Sequence, residues 1–171
     1  FEFLILETAQ AGLSWSTILK RRENYRTEYD NCDIKKIASY GEDKRNALLD
    51  NEGIIRNKLK IEASINNAKR VLEIKEEYGS FSQYLWSFTD YKPVINKWKT
   101  ISEVPAETEL SKTIAKDLKK KGFKFVGSVT IYAFLQAVGI VNDHLVDCFR
   151  YQQVIDYYNN KVKEIDYLQE I

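Results

Sequence analysis

Two prolines and seven glycines are the only strong helix breakers in a chain of 171 residues, and between them apolar residues recur at spacings of three and four almost without interruption. The pattern predicts a mainly α fold, with no convincing strand-like alternation or internal repeat. Residues 1–11 read as one helix stopped near Gly12, and Ser14 can cap a second that runs through Thr17, Ile18, Leu19 and Tyr25 to about Tyr29. Shorter helices are expected over 34–40 and 43–50. A long one from about Asn57 to Tyr78 carries Leu59, Ile61, Ala63, Ile65, Ala68, Val71, Leu72 and Ile74 and ends at Gly79. Ser80 starts a short helix through Tyr84 and Trp86. Residues 89–107, with Pro93 and Pro105, read as the longest irregular connection. A helical pair fills 108–138, and Asp143 is placed to cap a further helix holding His144 and Cys148. The tail from 152 reads as a peripheral helix or a fraying end.

The chain is long enough for one sizeable core, and the expected division is a single all-α domain over 1–150 with a peripheral tail over 151–171. Hydrophobic residues at 44% and charged residues at 30% place it among soluble globular proteins. No apolar run approaches the roughly 20 residues that cross a bilayer. The opening Phe-Glu-Phe-Leu-Ile-Leu-Glu carries two carboxylates and no basic flank, so this stretch is not expected to be a signal peptide. Two cysteines, Cys32 and Cys148, make no disulfide framework, so a reducing, cytoplasmic location is expected. A net charge of +1 excludes a basic nucleic-acid coat and leaves local patches as the only route to such a partner. The chain opens inside a helical pattern without an initiator methionine, and a missing N-terminal segment is the expectation.

One such patch lies between the two helices of the 108–138 pair: Lys119-Lys120-Lys121-Gly122-Phe123-Lys124-Phe125-Val126-Gly127-Ser128. Leu110, Ile114 and Leu118 recur four apart before it, and Val126, Val129, Ala133 and Val138 keep a helical rhythm after it. This is a helix-hairpin-helix pattern. Gly122 and Gly127 permit a tight turn and close approach of a partner, and the N–H groups that open the second helix form an anion site beside Lys121 and Lys124. A nucleic-acid phosphate suits that surface. An ordinary helical hairpin with a solvated lysine run remains the alternative.

At the other end, Glu7 sits on the last turns of an apolar helix, followed by Gly12 and the indole of Trp15. A carboxylate and a stacking wall suit a flat, electron-poor ring. The same residues equally describe a solvated carboxylate and a core tryptophan. His144 and Cys148, four apart, would lie on one helical face as two of four tetrahedral zinc ligands, or as a buried thiol beside a hydrogen-bonded histidine.

Taken in order, Ala9-Gln10-Ala11-Gly12-Leu13-Ser14-Trp15, Gly53-Ile54-Ile55-Arg56 with Lys58 and Lys60-Ile61, Leu85-Trp86-Ser87-Phe88, Lys121 to Gly127, Gln136-Ala137, and Val141-Asn142-Asp143-His144 with Cys148 give the chain a likeness. It resembles the DNA-3-methyladenine glycosylase I family of the helix-hairpin-helix DNA glycosylases, from Phe1 to about Phe149. The resemblance implies a helical bundle with a cleft between the N-terminal helices and the hairpin lobe. It also implies an activity: extrusion of N3-methyladenine from duplex DNA and hydrolysis of its N-glycosidic bond, leaving an abasic site without a lyase step. Carried onto this chain, Glu7 is the carboxylate that meets the cationic base, Trp15 the aromatic face, and Leu13, on a turn freed by Gly12, the wedge into the duplex. Lys121, Gly122, Lys124, Gly127 and Ser128 are the hairpin contacts to DNA. Asp143 is a rival carboxylate, because other helix-hairpin-helix glycosylases keep a catalytic aspartate near that place. His144 and Cys148 are half of a structural zinc site, completed by the segment expected to be missing. A monomer suffices for one flipped nucleotide. The competing functions are a non-catalytic DNA-binding module, with salt-sensitive affinity and no base release, and a helical interaction protein with neither.

Overall fold

The computed structural model describes residues 1–169, and side chains through residue 160. The helices are α1 (Glu2–Gln10), α2 (Trp15–Leu19), α3 (Arg22–Glu28), α4 (Ile34–Ala38), α5 (Glu42–Asp50), α6 (Lys58–Tyr78), α7 (Phe81–Ser87), α8 (Glu109–Lys120), α9 (Ser128–Ala137) and α10 (Phe149–Gln169). Side-chain caps account for three starts: the expected Ser14 accepts from the Thr17 N–H, Asn57 from Lys60 and Ser80 from Gln83. The helix expected to run from Ser14 to Tyr29 breaks at Lys20 and Arg21, where α2 ends and α3 starts.

α1 is buried on nearly every side from Leu4 through Ala9, as a helix without a polar stripe must be. Leu4 packs in one hydrophobic cluster with Ile114, Leu118, Phe123, Ile131, Phe134 and Leu135, the hairpin lobe. Ile5, Leu6 and Ala9 pack in a second, with Ile18, Tyr25, Tyr29, Ile37, Leu48, Ile61 and Ile65. α1 is therefore the partition between two lobes, and any polar side chain on it sits at their junction. The buried face of α9 is Ile131, Tyr132, Phe134 and Leu135; Val129 and Val138, read from the sequence as part of the packing stripe, are exposed.

Two short strands escape the sequence reading. β1 (Val94–Ile95) pairs in parallel with β2 (Val141–Asn142), Val94 opposite Val141 and Ile95 opposite Asn142. Two residues per strand are too few to show alternation, yet the pair staples the 89–107 connection to the end of α9. The expected helix capped by Asp143 is not formed. Residues 143–148 are a non-helical link and turn, in which the His144 N–H is taken by the Asn142 side chain and the Cys148 N–H by the Leu145 carbonyl. The Asp143 carboxylate is drawn elsewhere, onto four donors described below. α10 begins at Phe149 and runs through the expected tail, of which residues 170 and 171 lie outside the described residues. Among the described residues no helix is long and apolar enough to cross a membrane.

Candidate active site and nucleic-acid surface

Glu7 is 5% exposed, on the partition helix, and no hydrogen-bond donor among the described residues reaches its carboxylate. Desolvation alone pushes its pKa up to about 7. A carboxyl held largely out of water at a junction of two lobes, with no ion-pair partner among the described residues, is costly to charge unless something else meets it. The solvated-carboxylate reading of Glu7 is excluded by this burial. Trp15 opens α2 directly beyond the turn that follows α1 and packs half-buried against the second cluster.

The turn between them is tied on both flanks. The Leu13 N–H donates to the Gln10 carbonyl at 2.6 Å and the Gln10 side-chain amide donates to the Leu13 carbonyl at 2.6 Å. Gly12 stands at φ +79° with no atom within 4 Å of where a Cβ would lie, a left-handed turn tip open to a partner. Leu13 is 37% exposed, which removes the buried-leucine alternative for it. Lys60, from the first turn of α6, reaches back to donate to the carbonyls of Ala9 (2.8 Å) and Ala11 (2.7 Å) and so closes the C-terminal end of α1.

The basic hairpin is α8, a turn, and α9. Lys121 closes α8, Gly122 takes φ +85° there, and a Cβ on it would come within 3.3 Å of Arg70. Phe123 and Val126 anchor the turn in the core, whereas Lys124 and Phe125 project outward, Phe125 with φ +56°. Gly127 has ordinary backbone angles and supplies α9 with an N-cap lacking any side chain, so the first N–H groups of α9 have no side-chain cap. Two of the expected DNA contacts are engaged inside the protein. The Lys121 ammonium pairs with Glu77 at 3.0 Å and lies over the rings of Tyr78 and Tyr84. The Ser128 hydroxyl donates to Glu107, whose carboxylate is held below the usual range chiefly by that bond. The exposed cations nearest the turn are instead Lys119, Lys120 and Lys124; Lys119 and Lys120 line a groove along α8 with Lys116, Ser128 and Lys112, whose own ammonium is paired with Glu109 and Glu107.

Asp143 is a structural hub. Asn96 (2.7 Å) and the Trp98 indole (2.7 Å) donate to one carboxylate oxygen, and the Tyr132 hydroxyl and Gln136 amide (2.6 Å) donate to the other. Against the opposing pull of desolvation, these donors hold its pKa below the ordinary aspartate range and leave it poorly suited to take a proton. His144 Nδ1 and Cys148 Sγ stand 3.8 Å apart, a separation that two ligands of one tetrahedral ion can adopt, although a turn rather than a helical face brings them together. Among the described residues no third histidine, cysteine or carboxylate joins them. The described residues therefore do not make a complete zinc site, and no step is routed through a metal.

The model of the methyladenine glycosylase family matches residues 1–151. A DNA-3-methyladenine glycosylase of Haemophilus influenzae is 46% identical over 148 residues, covering 86% of this chain and 80% of that protein. DNA-3-methyladenine glycosylase 1 of Escherichia coli is 44% identical over 151 residues, 88% of this chain and 81% of its own. Among solved structures, one describing 3-methyladenine recognition by 3-methyladenine DNA glycosylase I of Staphylococcus aureus superposes with a TM-score of 0.84 at 37% identity, covering 86% of this chain and 79% of the other.

Proposed function

The chain belongs to the methyladenine glycosylase family, and from that premise we propose that it excises N3-methyladenine from alkylated duplex DNA by flipping the nucleotide and hydrolysing its N-glycosidic bond. The observation that carries the reading is Glu7, a buried carboxylate without an ion-pair partner among the described residues, on the helix that leads into the exposed Gly12–Leu13 turn, beyond which the half-buried Trp15 opens α2.

N3-methylation places positive charge on the purine, and that charge already weakens the bond to C1′. The protein's task is then to extract and recognise. The Leu13 turn enters the stack from the exposed tip at Gly12, while the lysines of α8 and Lys124, with the open N-terminus of α9, hold the phosphates. In the pocket the ionised Glu7 accepts from the exocyclic amine and balances the cationic ring, and the Trp15 face takes it by stacking and cation–π attraction. The glycosidic electron pair leaves with the base, which becomes neutral as it departs, and water adds to C1′ and releases a proton to solvent, giving an abasic site. The reaction needs no lysine Schiff base. His144 and Cys148 are read as half of a structural zinc site, which two further ligands would have to complete. The two free thiols suit a reducing cytosolic setting, and one copy of the chain suffices for one nucleotide.

The test is chromatographic detection of free 3-methyladenine from methylated duplex DNA, run beside binding at several salt concentrations. Lys124→Glu is expected to weaken binding regardless of sequence and to lower the salt slope by about one. Lys121→Gln is expected to leave that slope nearly unchanged, because its charge is engaged by Glu77. Salt-steep binding without base release would favour the non-catalytic module.

A further inference from the structure

The two surfaces assigned to DNA, the wedge turn and the basic hairpin, come from opposite ends of the chain, and one helix holds both by their backbones. From α6, Lys60 donates to the carbonyls of Ala9 and Ala11 at 2.8 and 2.7 Å, at the foot of the wedge turn. Seven residues further on, Asn67 brackets Lys124 in the hairpin turn: its amide donates to the Lys124 carbonyl at 3.0 Å and its carbonyl oxygen accepts from the Lys124 N–H at 2.8 Å. Asn66 adds a bond to the Gly122 carbonyl at 2.8 Å. Residues seven apart lie two turns along the same helical face, about 10 Å from one another. Ser64 stands between them on that face, bonded back to the Lys60 carbonyl. Asn67 is 2% exposed and Ser64 4%, a polar stripe inside an otherwise apolar packing surface. Apolar residues would fill that surface at lower desolvation cost if packing were its only purpose.

We propose that Lys60 and Asn67 are positioning residues for base extraction, α6 acting as a ruler that sets the spacing between the wedge at Leu13 and the phosphate-holding hairpin at Lys124. The proposal rests on the reading of those two turns as DNA contacts. Extrusion requires the wedge to enter the stack while the backbone is held a fixed distance away, so an error of about 1 Å between the two is expected to slow extraction roughly 10- to 100-fold. Neither residue is assigned a contact with the extruded base, so recognition of a base already outside the duplex is unaffected.

The experiment compares Lys60→Met, Lys60→Arg, Asn67→Leu and Asn67→Asp with the wild type. Asn67→Asp keeps the acceptor for the Lys124 N–H but sets a carboxylate oxygen against the Lys124 carbonyl, so it is expected to slow paired-duplex release at least as much as Asn67→Leu, and Lys60→Arg, which keeps donors for the Ala9 and Ala11 carbonyls, guards against a variant that fails to fold. Three quantities are read: affinity for free 3-methyladenine, single-turnover base release from fully paired methylated duplex, and release from the same duplex with the damaged adenine in a mismatch, where opening costs less. Expected are unchanged free-base affinity, paired-duplex release slowed roughly 10- to 100-fold in Lys60→Met and Asn67→Leu, substantial recovery on the mismatched substrate, and near-normal rates for Lys60→Arg. Paired-duplex rates equal to wild type, or a parallel fall in all three quantities, overturn the proposal. Leu13→Ala separates the layers. If it leaves paired-duplex release intact, the wedge reading itself fails; if it slows release while the α6 variants do not, only the ruler fails.

Discussion

Replacing Glu7 with glutamine is expected to stabilise the folded protein at neutral pH while removing most of its base release. The carboxyl is buried without a partner, and desolvation holds its pKa near 7, well above its ordinary value of 4.5. In the range between those values the unfolded chain has lost this proton and the folded chain still keeps it. The contribution of the protonated group to stability is thus complete below the unfolded value, declines as pH rises, and is lost through the folded value near 7. Charging Glu7 in the folded state costs about 3 kcal/mol, which glutamine does not incur. Denaturant midpoints should therefore rise in Glu7→Gln at pH 8 and differ little at pH 4.5. The same substitution removes the one charge that meets a cationic purine in a site shielded from water, and base release should fall by roughly 100-fold or more. In the wild type, release should increase with pH through about 7 as the carboxylate forms. A variant that is neither more stable nor less active would show that the carboxyl is ordinarily solvated and does not take part.

Asp143 is expected to behave in the opposite way. Each of its oxygens receives two donors, from Asn96 and Trp98 on one side and Tyr132 and Gln136 on the other. Asp143→Asn turns an amide N–H2 toward donors, and Asp143→Ala leaves four of them without an acceptor, at a cost of about 3 kcal/mol or more. The stability that the ionised group supplies is present above the unfolded aspartate pKa and is lost as pH falls through its depressed folded value. Acid unfolding should accordingly shift upward in pH in the variant. Base release per folded molecule of Asp143→Asn should stay within about tenfold of the wild type, short of the roughly 100-fold that loss of a general base brings. A larger loss in a folded variant would return Asp143 to the chemistry.

What the sequence made legible follows from what is local. The span of α6 could be read because its apolar period, its Asn57 cap and its terminal Gly79 all lie within the segment. The hairpin could be read because a glycine with φ +85° and a lysine run leave a local signature. The role of Asp143 could not, since its four donors come from the 89–107 connection and from α9 and meet only in the folded chain. The same holds for Lys121, whose partner Glu77 lies forty-four positions away. Placing His144 and Cys148 on a helix failed because a strand pair of two residues precedes them and the Asn142 side chain takes the His144 N–H. Asn66-Asn67, consecutive amides inside a long apolar helix, announce a buried polar task, because Asn favours neither helix interiors nor burial without partners.

Recognition of the cationic base turns on the charge state of one side chain, and the most direct measurement is the NMR titration of the Glu7 carboxyl carbon in the free protein and with 3-methyladenine. In the free protein the resonance should titrate near 7. When the base binds, donation from its amine to the carboxylate should pull the midpoint well below that value. Titration at the ordinary glutamate value in the free protein, or a midpoint that ignores the base, would contradict the central claim.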